Sequence, residues 1–142
     1  MKVLTRDFGE VEVTENDIIS FEQQIFGFEE YGSDFIILYD DDFNGEYAWL
    51  QSVEFSELCF ILANAELVIG NYNPKCEKEA AKVIGEGKYE YWLVTVIKDN
   101  LKDSTVNLKS PVVINIDNGK AMQIISEEPL PIRYKLFDSG KE

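Results

Sequence analysis

Apolar and polar positions alternate along most of this chain, with the period of short strands rather than helices. "KVLTRDFGEVEV" (2–13) reads as two strands folded about Gly9, with Val11 and Val13 alternating against Glu10 and Glu12. An irregular connection, "NDIISFEQQIFGFEEYGSD", follows. Phe35 to Tyr39 are apolar on both faces, which predicts a buried strand. "DDDFNGE" is a turn in which Asn44-Gly45 is the favoured type I′ pair. "YAWLQSV" sets Tyr47, Trp49, Gln51 and Val53 against Ala48, Leu50 and Ser52, and "LCFILANAELVI" supplies further strand. One segment has helical spacing. With Asn73 as cap and Pro74 at the first position, Cys76, Ala80, Val83 and Ile84 fall on one face, and Gly85 can end the helix. Strand patterns return at "EYWLVTVI", "LKDSTVNLKS", "PVVINI" and, after a second Asn-Gly hairpin turn at Asn118-Gly119, "AMQII".

The segment 104–115 has the most regular alternation, and it interrupts itself. Val106, Leu108, Val112 and Ile114 share one face, and Thr105, Asn107, Lys109 and Asn115 share the other. Ser110 takes an inward slot, and Pro111 removes a backbone donor. Such a strand is expected at an edge or bulge, where unpaired backbone groups can meet a partner. The closing "SEEPLPIRYKLFDSGKE", with Pro129 and Pro131, reads as an extended C-terminal tail from about residue 127. These elements predict one mainly all-β domain over residues 1–142. Its expected form is small and β-barrel-like, or a two-sheet antiparallel fold, with one short helix near residues 74–84.

Composition narrows the function. Thirteen basic against 27 acidic residues leave a net charge of −14, a field that repels nucleic acid and anionic membrane surfaces and attracts a basic protein. The chain has no histidine, the commonest general base and metal ligand. Cys59 and Cys76 lack C-x-x-C spacing and read as small buried hydrophobes in a reducing compartment. The N-terminal residues carry no apolar leader core, and no run reaches the length of a membrane span. The expectation is a cytoplasmic protein without cofactor or metal.

Three chemical motifs fail on inspection. Asp40, Asp42, Asn44 and Gly45 match half of a calcium loop, but Gln51 stands where its bidentate glutamate belongs. Glu127-Glu128 are consecutive, so in an extended chain they point apart. Gly85-x-Gly87 follows a helix instead of opening one, so it is no phosphate loop.

Taken in order, "FGEVEV" (8–13), "IISF" (18–21), "GFE" (27–29), "WLQSV" (49–53), "TVNLKSPVVIN" (105–115) and "QII" (123–125) resemble the flagellar assembly factor FliW family. Thr105, Asn107, Leu108, Pro111, Ile114 and Asn115 fit that family's T-x-N-L-x-x-P-x-x-I-N pattern. Two departures stand out: "FEQQIFGFE" lacks the prolines usual around this turn, and "RYKLFDSGKE" replaces the usual Tyr and Arg-Pro ending. The resemblance implies a non-enzymatic, chaperone-like regulator. It would bind flagellin in the cytoplasm and antagonise the carbon storage regulator CsrA, relieving repression of flagellin translation by partner switching. Candidate partner-binding residues are the polar and aromatic side chains within the shared motifs: Phe28, Trp49, Gln51, Ser52, Asn107, Lys109, Ser110 and Pro111.

Two other function classes compete. A small-ligand-binding β-barrel would line a pocket with Trp49, Tyr91 and Trp92. A carboxylate-only enzyme would need two carboxylates facing across a cleft, and no strand face carries a candidate pair.

Overall fold

A strand with two apolar faces must be covered on both sides, and the computed structural model covers them by closing a barrel and wrapping its outside. It describes residues 1–23, 25–39, 45–69, 71–100 and 103–135. In chain order the strands are β1 (Lys2–Leu4), β2 (Glu10–Glu12), β3 (Ile19–Phe21), β4 (Asp34–Tyr39), β5 (Tyr47–Ser52) and β6 (Cys59–Asn64). Helices α1 (Ala65–Val68) and α2 (Glu77–Ile84) follow, then β7 (Tyr89–Val96), β8 (Thr105–Val106), β9 (Val112–Asn115), β10 (Lys120–Gln123) and β11 (Tyr134–Lys135).

β1 and β2 form a separate hairpin; the other nine strands run in the order β11-β8-β7-β6-β5-β4-β3-β10-β9. β9 also pairs with β7, matching Val112 to Trp92 and Asn115 to Tyr89, so β3 to β7 close through β9 and β10 into a seven-stranded barrel. Among the described residues every pairing is antiparallel except β3 with β10, where Ser20 lies opposite Lys120 and Phe21 opposite Ala121. The barrel is therefore the all-β form expected, with one parallel seam.

Its interior is filled. Phe21, Phe35, Ala48, Leu50, Leu62, Trp92, Val112 and Ala121 pack there, each at most 3 % exposed. Outside, the hairpin seals Ile36 with Val3 and Val13. Helix α2 lays Cys76, Ala80 and Ile84 on Val113, Met122 and Ile124. A third cluster joins Ala65 of α1 to Leu93, Val106 and Leu108, with Leu130 and Tyr134 packed against it.

Several local expectations change. Ile19–Phe21 is a strand inside the connection expected to be irregular, and that connection also holds 3-10 turns at Glu15–Asp17 and Glu29–Tyr31. The apolar run to Ile69 leaves the strand at Asn64, whose side chain accepts from the Glu66 amide and starts α1. The structure thus has a second short helix. Asn73 does cap a turn, accepting from the Lys75 amide, but Lys75 adopts φ 54°, so α2 begins only after Cys76. Gly85 ends α2 as expected, at φ 78°. Asn118-Gly119 does lie in a hairpin turn, between β9 and β10; it loops through 116–119, with positive φ at Gly119 alone of the four. The Asp40–Asn44 part of the other turn lies outside the described residues.

Candidate protein-interaction site

The strand directions divide the barrel into two ends. At the upper end β3, β5, β7 and β10 finish and β4, β6 and β9 begin, and most of the predicted partner residues gather there.

Phe28 stacks edge-on against Phe60 of β6, with ring centroids 4.9 Å apart, and lies 5.7 Å from Tyr31. Tyr31 in turn meets Phe55 at 5.2 Å. Tyr31 and Phe55 are exposed, and with Phe28 and Phe60 they make an aromatic patch of which the sequence singled out only Phe28. Its members come from three separate stretches, so no local pattern marks them.

Gln51 and Ser52 are fully buried. The Gln51 Oε1 accepts from the Arg6 amide at 2.8 Å, and its Nε2 lies 3.1 Å from the carbonyls of both Ser52 and Ser56. Ser52 Oγ accepts from the Phe55 amide at 3.0 Å. Together they hold the β5–β6 turn beneath the aromatic patch. Their side chains offer no surface to a partner in this conformation.

Around Pro111 the chain satisfies itself. Asn107 Oδ1 accepts from the amides of Lys109 and Ser110, both at 3.0 Å, an Asx turn that ends β8. The Asn107 amide donates to the Val94 carbonyl, and that of Leu108 to Pro131. The carbonyls of Lys109 and Pro111 accept from Ser126 and Ile124. Ser110 and Pro111 are buried, whereas Asn107 and Lys109 remain half-buried, and Lys109 Nζ donates to the Glu128 carbonyl at 2.8 Å. The break divides the apolar face between two cores: Val106 and Leu108 pack outside the barrel, and Val112 and Ile114 pack inside it. The Ser-Pro interruption turns the chain from one cluster to the other. It does not leave the open edge expected from the proline.

Gln123 links the two groups. Its Oε1 accepts from the Phe26 amide and its Nε2 donates to the Ser110 carbonyl, each at 3.0 Å. The Phe28 loop and the Ser110-Pro111 segment are thus brought to one surface. Trp49 stands apart, midway along β5 on the outer face and edge-on to Phe8 at 5.2 Å.

The residues required for a ligand pocket do not converge. Trp92 is buried in the barrel core, Tyr91 faces Tyr72 outside it, and Trp49 packs on Phe8. Among the described residues every buried side-chain nitrogen and oxygen has a partner, and no group of three acidic or cysteine side chains is placed to hold a metal. Burial raises both thiols, Cys59 and Cys76, to about 11. No helix among the described residues is long and apolar enough to cross a membrane.

A family profile described as FliW protein matches residues 2–136. Flagellar assembly factor FliW of Lachnoclostridium phytofermentans is 34% identical over 144 residues, covering 97% of this chain and 92% of its own length. The protein of that name from Bdellovibrio bacteriovorus is 33% identical, covering 96% of this chain and 79% of its own. A crystal structure of the flagellar assembly factor FliW superposes with a TM-score of 0.87 at 26% identity, covering 98% of this chain and 99% of the other.

Proposed function

The chain belongs to the FliW family, and from that premise we propose that it serves flagellar assembly by binding cytoplasmic flagellin and, in exchange, the translational repressor CsrA. The observation that carries this is the end-to-end correspondence with proteins named flagellar assembly factor, over residues 2–136. The net charge of −14 suits an encounter with a basic RNA-binding protein, where complementary charge speeds association. The protein acts without catalysis: one partner expels the other by mass action.

The partner face is the upper end of the barrel. Phe28 reaches its surface beside the exposed Tyr31 and Phe55, the half-buried Asn107 and Lys109 belong to the same end, and Gln51, Ser52, Ser110 and Pro111 shape it from beneath. Trp49 stands apart from it, midway along β5 against Phe8.

Calorimetric titration of this protein with CsrA and with flagellin tests the proposal. Binding to both at 1:1, mutual displacement and a weaker CsrA affinity at higher salt are expected. The absence of heat with either partner, both shown to be folded, would overturn it. Lys109→Ala should weaken binding while lowering Tm by no more than about 4 °C, since a half-buried polar contact contributes about 0.5–1 kcal/mol. A stability loss that accounts for the whole binding loss would make Lys109 a tether for the 126–130 segment.

A further inference from the structure

At the lower end of the barrel, far from the partner face, β4 outruns its neighbour. β3 matches β4 only at Ser20 with Asp34 and Ile19 with Phe35, whereas β5 accompanies β4 to Tyr39. Two hydrogen bonds set the direction of the backbone groups. The Val53 amide donates to the Asp34 carbonyl, and the Phe21 amide donates to that of Ser33. By the alternation of an antiparallel ladder, Asp34, Ile36 and Leu38 address β5, while Phe35, Ile37 and Tyr39 address the β3 side. Beyond Phe35 no strand among the described residues lies on that side, because the preceding chain turns away through Glu15–Asp17. Ile37 and Tyr39 therefore present a donor and an acceptor each, and no described residue bonds to them on that side.

These groups face a groove of about 300 Å³. Ile19 and Ile114 contribute apolar wall, and the exposed Ile116 stands at its mouth. Three carboxylate residues, Glu12, Asp17 and Glu90, also line it, and no lysine or arginine does. Glu12 holds the N-terminal ammonium at 2.9 Å. Hydrogen bonds from Thr14 and from Trp92 Nε1 orient Asp17 and Glu90 without neutralising them.

We propose that this groove docks an extended segment of a partner protein, one in which lysine or arginine alternates with aliphatic residues, as an added strand on β4. An extended chain repeats every two residues, so one set of its side chains meets the isoleucines and the other meets the carboxylates. Main-chain pairing with Ile37 and Tyr39 fixes its register, and the acidic rim selects its charge. The proposal rests on the reading of this protein as one that binds proteins. It adds a surface at the end of the barrel opposite the partner face.

The test titrates the full-length, 15N-labelled chain with the amidated, acetylated peptide KVKIK, a probe that involves neither flagellin nor CsrA. Failure here therefore leaves the calorimetric test of partner exchange untouched, and the reverse also holds. Chemical-shift changes should concentrate at Ile37, Tyr39 and the groove, with amide exchange at those two residues slowed at least about tenfold. Glu90→Gln should weaken binding several-fold. The same peptide N-methylated at every residue should leave both amides unmoved. Equal binding of the methylated peptide, shifts scattered over the acidic surface or centred on β11, or no shift at millimolar peptide would each overturn the proposal.

Discussion

Gln51 shows how much a single buried side chain can organise. It joins the Arg6 backbone, on the approach from β1 to β2, to the β5–β6 turn, residues far apart in sequence. Gln51→Ala would orphan these groups and leave a cavity, at a cost of about 2–3 kcal/mol. The corresponding fall in Tm is about 8–12 °C. A melting curve within 2 °C of the parent protein would contradict this account. The sequence places Gln51 with Trp49 on one face of β5 and makes both candidate partner contacts, whereas Gln51 is fully buried. The alternation was legible; the chain that covers its far end was not, since that cover comes from residues 45 positions earlier.

Elements here are stabilised by neighbours more than by their own propensities. Helix α2 has only eight residues, too few to persist alone. The β9–β10 hairpin finishes it: Asn115 Nδ2 and Asn118 Nδ2 both donate to the Ile84 carbonyl at 2.9 Å, and Tyr89 Oη donates to that of Gly85. Gly87 permits this approach, because a Cβ there would lie 2.5 Å from Asn115 Oδ1. Asn115→Asp would aim a carboxylate at the helix C-terminus, where the carbonyls already concentrate negative charge. We expect a loss of about 2–4 kcal/mol in urea unfolding, with faster amide exchange in α2 than in β5. Uniform acceleration across both elements would argue against a local cap.

The same dependence explains which elements could be read in advance. β4, β5, β7 and the end of α2 follow from local pattern and glycine chemistry. β3 has three residues and no run long enough to signal a strand; its pairing with β10 defines it. α1 carries Leu67 and Val68, a strand-like composition, and the Asn64 cap decides otherwise. The proline at 111 marked a break correctly. Its backbone partners, Pro131, Ser126 and Ile124, come from a segment that the sequence showed only as a proline-containing tail.

For the whole molecule, alkaline pH is the condition that should strain the fold. Burial raises the thiols of Cys59 and Cys76 from the ordinary 9 to about 11, and raises the phenols of Tyr72 and Tyr91 as well. The folded state thus holds these protons more tightly than the unfolded state does. Their contribution to stability is complete below pH 9 and falls as pH rises through about 11. Urea midpoints should therefore be flat from pH 7.5 to 9 with respect to these groups and decline by pH 10.5. Cys59→Ala with Cys76→Ala should reduce that decline; an unchanged pH profile in the double variant would assign the effect elsewhere.

The parallel seam between β3 and β10 joins Ser20 to Lys120, a hundred residues later. On a ribosome adding about 5–20 residues per second, roughly 5–20 s separate the synthesis of the two strands. For that interval β3 lacks its β10 partner, and the barrel cannot close on that side. Closure waits for β10 to emerge, so the barrel can form only after about a hundred further residues have followed β3 out of the ribosome.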